Sequence, residues 1–135
     1  MAQIIAYLKF KDRCVEAMTF YQKCFGGNLT FQPVKGSVFE TPGMDEEAGR
    51  RIVHSQLVGE RFVLFGSEMV VPEEGPNSTF LWINGEDDEE IRRIHGALSE
   101  GGTVTAELQP AYWGTTFGAI TDRFGVKWYI SKLAI

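Results

Sequence analysis

Phe25-Gly26-Gly27-Asn28-Leu29-Thr30-Phe31 and Glu100-Gly101-Gly102-Thr103-Val104-Thr105 decide the fold of this chain. In each, a glycine pair stops a helical pattern and an alternating stretch follows at once. Gly26 and Gly101 are 75 residues apart (101 − 26). Two such junctions at a fixed offset read as one supersecondary unit used twice, and such a repeat constrains the architecture more than any single element does.

Upstream of the first pair, Ala17, Phe20 and Cys24 recur at helical spacing, and Asp12 is placed to cap the helix, predicted over 12–25. Before it, 4–10 begins β-branched and then alternates, as a strand does. Downstream, Leu29, Phe31 and Pro33 alternate with polar residues. Strands at 52–58 and 61–65, turning at Gly59-Glu60, complete a hairpin. The polar stretch 35–51, with Gly36, Pro42, Gly43 and Gly49, reads as a long irregular loop, a length often used functionally. A linker over 66–76 then leads to the second unit. That unit has a strand at 78–83, a helix at 87–100 with Ile91, Ile94 and Leu98 on one face, and strands at 103–108, 115–121 and 127–130.

The expected fold is therefore α+β, with two tandem βαβββ modules forming a curved mixed eight-stranded sheet. The 135 residues make one domain, with module one at about 1–68 and module two at about 76–135. One helix cannot cover both faces of its module's sheet. The uncovered faces are expected to curve into a cup that a small molecule enters.

Composition narrows the function. Thirteen Lys and Arg against 18 Asp and Glu leave a net charge of −5, the wrong sign for neutralising phosphates, so no nucleic-acid partner is expected. No run approaches the ~18 apolar residues of a membrane span, and the first residues lack a secretory pattern. A cytoplasmic protein without a membrane partner is the expectation. Cys14 and Cys24 sit ten positions apart on one predicted helix, roughly 15 Å along its axis, too far for a disulfide.

Several strings together resemble the vicinal oxygen chelate superfamily, the glyoxalase/bleomycin resistance/dioxygenase group, and within it the PhnB-like branch. They are Tyr7-Leu8-Lys9-Phe10, the run from Glu16-Ala17-Met18-Thr19-Phe20-Tyr21 to Phe25-Gly26-Gly27, His54-Ser55-Gln56-Leu57, Tyr112-Trp113-Gly114, and Asp122-Arg123-Phe124-Gly125-Val126-Lys127-Trp128. The resemblance implies the two-module fold, a homodimer and a small-molecule ligand. It also implies metal ligands on the first and last strands of each module. Counting from the Asp122 turn puts Tyr129 at one such slot, and the others fall at Ala6 or Tyr7, near Phe65, and at Phe80 or Leu81. A neutral phenol with pKa near 10 is a poor partner for a divalent cation, and the aliphatic and phenyl side chains are not ligands at all. His54, with Gln56 or Glu40, falls short of the three protein donors a catalytic metal usually has. No cofactor is expected. The methyltransferase activity sometimes attached to this branch finds no Gly-x-Gly-x-Gly turn after a strand here.

The expected reading is a small-molecule-binding protein without a catalytic metal. The alternative is a metal-dependent lyase, isomerase or dioxygenase acting on a vicinal-oxygen substrate. The cup is expected to be lined by Tyr7, Gln56, Trp82, Tyr112, Trp113, Phe117 and Tyr129. His54 is the candidate catalytic residue, as a polar anchor or general base, or else a backbone-bonded interface histidine. Ile52, His54, Gln56 and Val58 share one face of their strand and Val53, Ser55 and Leu57 the other, so periodicity leaves its direction open. His95 reads as a rim histidine. The acidic run Glu86-Asp87-Asp88-Glu89-Glu90 reads as a helix start.

Overall fold

The computed structural model describes residues 2–69, 79–110 and 116–132. The chain divides into two compact units, Met1–Gly75 and Pro76–Ile135. The first runs β1 (Ala6–Lys9), α1 (Cys14–Phe25), β2 (Asn28–Pro33), α2 (Glu46–Arg50), β3 (Ile52–Val58) and β4 (Val63–Ser67). The second runs β5 (Leu81–Asn84), α3 (Asp88–Ser99), β6 (Thr103–Pro110), β7 (Thr116–Thr121) and β8 (Lys127–Ser131). Each is a βαβββ module with its own four-stranded mixed sheet, ordered β1-β4-β3-β2 and β5-β8-β7-β6. In each, the first strand pairs in parallel with the last and the remaining pairings are antiparallel.

The glycine pairs behave alike at both junctions. Gly26 and Gly101 take φ of +78° and +75°, a left-handed conformation that a side chain resists. Gly27, itself at φ +101°, and Gly102 are also required by a close approach. A Cβ would lie 2.8 Å from the Val58 carbonyl oxygen at Gly27 and 2.5 Å from that of Thr121 at Gly102. The strand two places on in sequence therefore passes too close to admit any other residue.

Each helix lies on one face of its sheet. The buried stripe of α1 is Cys14, Ala17, Met18, Phe20, Tyr21 and Cys24, and that of α3 is Ile91, Ile94, His95 and Leu98. Ser55 and Leu57 of β3 and Leu64 and Gly66 of β4 form the buried floor under α1. Trp128 and Ile130 of β8 and Ile120 of β7 do the same under α3. His95 is therefore not a rim residue. It is 8% exposed, at the helix position that places it against Gly118, and its Nε2 has no hydrogen-bond partner.

The two helices start differently. Asp87 caps α3, accepting from the Glu90 amide at 2.8 Å, while Glu90 accepts from the Glu86 amide at 2.9 Å. The acidic run is thus a helix start, as read. Asp12 does not cap α1. The N-cap there is Arg13, whose side chain makes no capping bond, and the buried Glu68, 54 residues away, accepts from the Cys14 amide at 2.9 Å. Its other carboxylate oxygen accepts from the Ile52 amide at 2.9 Å, so one side chain ties α1 to β3. The stretch 35–51 is also less irregular than expected, since Asp45 caps the short α2 through the Ala48 amide at 2.8 Å.

The Asp122-Arg123-Phe124-Gly125 string is a turn built around one buried carboxylate. Asp122 Oδ1 accepts from the Phe124 and Val126 amides at 2.8 and 3.0 Å, and Oδ2 from the Trp128 indole at 2.9 Å. It sets where β8 begins, and hence which way Lys127, Tyr129 and Ser131 point.

Candidate functional site

Strand pairing settles the direction that periodicity left open. In module one, Ser55 and Leu57 are buried on the helix side, so His54 and Gln56 stand on the uncovered face. Gln56 pairs with Phe65, Phe65 with Tyr7, and Gln56 also with Thr30, which makes one row across four strands. His54, paired with Gln32 on β2, meets the Phe65 ring edge-on at 4.6 Å and 76°. Its imidazole makes no hydrogen bond among the described residues. Tyr7, at the sheet edge, is half exposed.

The matching face of module two carries a cluster of four aromatic rings. Trp82 pairs with Tyr129, and Phe117 with Ser131. Tyr129 lies 5.3 Å from Trp82, 5.2 Å from Phe117 and 4.5 Å from Phe80, the last nearly parallel at 26°. Trp82 is 48% exposed and donates its indole N–H to Ser131 Oγ at 2.8 Å. The indole therefore has its one polar group satisfied within the protein and offers a ligand only apolar surface. Lys127 Nζ stands 5.3 Å from the centre of the Phe80 ring.

Of the sequence-predicted residues, Trp82, Phe117 and Tyr129 come together in module two, and Tyr7, His54 and Gln56 share one face of module one. Tyr112 and Trp113 lie outside the described residues. Phe80, Lys127 and Ser131 were missed as lining residues. The signal was available, because 80 and 82, and 127, 129 and 131, alternate on their strands.

A cavity of about 770 Å³ lies elsewhere in module one, lined by residues that include Lys11, Arg13, Asp45, Arg50, Arg51 and Glu68. None of the predicted site residues lines it. Several of its charged side chains are engaged within the protein: Arg13 forks onto Glu16 at 3.0 and 3.1 Å, Arg51 donates to the Glu68 carbonyl at 2.7 Å, and Asp45 caps α2. It offers volume without a committed reactive group. Beside it, Cys14 is buried, and desolvation, partly offset by the Ser55 hydroxyl at 3.4 Å, pushes its thiol up to about 11. A thiol held protonated is a poor nucleophile at neutral pH.

The donor set does not fit a catalytic metal. In module one, His54 is the imidazole on the uncovered face, Gln56 is a neutral amide, and Glu40 is held in its own loop by the Gly36 amide at 2.9 Å. The slots implied by resemblance hold Tyr7, Phe65, Phe80 and Tyr129, and no group of three His, Cys, Asp or Glu side chains forms among the described residues. A divalent cation would lack the three anionic or imidazole donors it ordinarily takes from protein.

Similarity to known proteins identifies the family. Residues 4–130 match the family model of the Glyoxalase/Bleomycin resistance protein/Dioxygenase superfamily. The chain is 25% identical over 134 residues to Protein YjdN of Escherichia coli strain K12, covering 93% of this chain and 91% of that one. The crystal structure of protein PA1353 from Pseudomonas aeruginosa superposes with a TM-score of 0.82 at 34% identity, covering 98% of both chains. The PhnB protein from Bacillus cereus superposes with a TM-score of 0.76 at 20% identity, over 98% of this chain and 100% of that one, a likeness of fold. With the family model matched almost end to end and the module order repeated in solved relatives, this chain belongs to the Glyoxalase/Bleomycin resistance protein/Dioxygenase superfamily.

Proposed function

We propose that this protein binds a small, largely apolar or aromatic molecule on the helix-free faces of its sheets, without a catalytic metal. The observation that carries this reading is the cluster of Phe80, Trp82, Phe117 and Tyr129, with Trp82 half exposed although its indole N–H is internally satisfied. Soluble proteins seldom leave contiguous apolar rings open unless something binds there. His54 serves as a polar anchor in module one, supported by its unsatisfied imidazole. Chemistry at His54 would be acid–base, since neutral imidazole is both donor and acceptor. The methyltransferase activity in the name of the Bacillus cereus PhnB protein is not part of this reading, because the sequence carries no Gly-x-Gly-x-Gly run for a nucleotide-like methyl donor.

A homodimer belongs to the same proposal, supported by the exposed Ile4, Val38 and Phe39. So does a cytoplasmic location, supported by the free thiols of Cys14 and Cys24. Native mass spectrometry of untagged protein tests these points together. The expected spectrum shows a dimer free of stoichiometric metal that takes up 1-naphthoate. Stoichiometric Ni, Zn, Mn or Fe that disappears in His54→Ala would establish the metal-dependent alternative instead.

A further inference from the structure

We infer that the ligand of module two is an aromatic anion, a flat ring bearing a carboxylate or similarly acidic oxygen. The inference rests on the aromatic face being a ligand surface, and it adds the charge of what binds there.

The rings themselves exclude one class. Their centroids lie 4.5 to 5.7 Å apart, so they pack against one another. A cage for an ammonium group must instead keep its rings apart, with the cation within ~6 Å of each centre and in the space between them. Here that space is filled by the rings. A ligand must lie on the outer surface of the cluster, and a flat ring is the shape that covers such a surface best.

Lys127 then sets the sign. It lies two residues before Tyr129 on β8, so the two side chains leave the same face of the sheet roughly 7 Å apart. Its ammonium stands over Phe80, itself stacked on Tyr129. It has no carboxylate partner among the described residues, whereas Arg13 has Glu16, Arg50 has Glu46 and Lys132 has Asp88 at 4.0 Å or less. In a chain with 18 acidic residues against 13 basic ones, an ammonium without a carboxylate beside the ring cluster repels a cationic ligand and attracts an anionic one. The Tyr129 hydroxyl, which makes no hydrogen bond among the described residues, supplies a second donor on the same side. Trp82 supplies none, since its N–H is committed to Ser131. The recognition pattern is thus a cluster of rings with two donors on the same face of the sheet, which suits an aromatic acid.

Titration calorimetry of the intact chain with 1-naphthoate, 1-naphthamide and 1-naphthylmethylammonium tests this. Wild type is expected to bind naphthoate about tenfold more tightly than the amide, with the ammonium weakest, as a charge-assisted contact requires. Lys127→Met keeps the aliphatic stem over Phe80 and should erase the preference, while Lys127→Arg should retain it. Equal affinity for the three probes in wild type, or a preference that survives Lys127→Met, overturns the anion inference and leaves the binding face standing. If none of the three binds, the binding face falls, and the inference with it.

Discussion

Cys14 shows how a single buried group shapes the response of this protein to pH. Desolvation holds its thiol protonated up to about 11 against an ordinary 9.0, so between those values the folded chain keeps a proton that the unfolded chain releases. The folded state then binds more protons than the unfolded one, and stability falls as pH rises through that window. Urea unfolding from pH 7.5 to 10.5 is expected to show wild type losing stability above pH 9 relative to Cys14→Ala. Parallel curves for the two would contradict it. Native alkylation with iodoacetamide should spare Cys14 over the same range, since the side chain is fully buried.

At the scale of elements, Glu68 carries the join between α1 and β3. Glu68→Gln leaves an amide donor facing the Cys14 or the Ile52 N–H, and an unsatisfied buried N–H costs about 2 kcal/mol. The expected outcome is a lower urea midpoint with an unchanged slope, and no shift would remove Glu68 from this role. This capping was beyond reach of the sequence because 54 residues separate the partners, and only the folded sheet brings them together. Asp12, by contrast, stood in the right place by local rules and lost to that tertiary contact. Local signals were enough where the cause was local: the glycine pairs, the helix stripes, the Asp87 start and the period-two strands all follow from nearest neighbours. Short α2 was hidden because five residues carry no periodicity to read. The direction of His54 was likewise undecidable from its own strand, and became fixed once Ser55 and Leu57 were seen to lie under α1.

For the whole molecule, the two modules share one order of sheet strands and differ in what their helix-free faces present. Module one offers Tyr7, Phe65, Gln56 and His54, and module two offers Phe80, Trp82, Phe117 and Tyr129 with Lys127 at their edge. The slots at which relatives are expected to hold a metal carry phenols and rings here. Binding through stacking and hydrogen bonds is the chemistry those side chains can perform. The central claim is that module two's aromatic face is where a small molecule binds, and amide and indole NMR spectra of labelled protein titrated with 1-naphthoate test it most directly. The expected result is saturable shifts of the Trp82 indole resonance and of the Phe117 and Tyr129 amides, lost in Trp82→Ala, with residues 11–16 and 45–51 unmoved. Shifts confined to the charged cavity of module one, or no saturable shift anywhere, would contradict it.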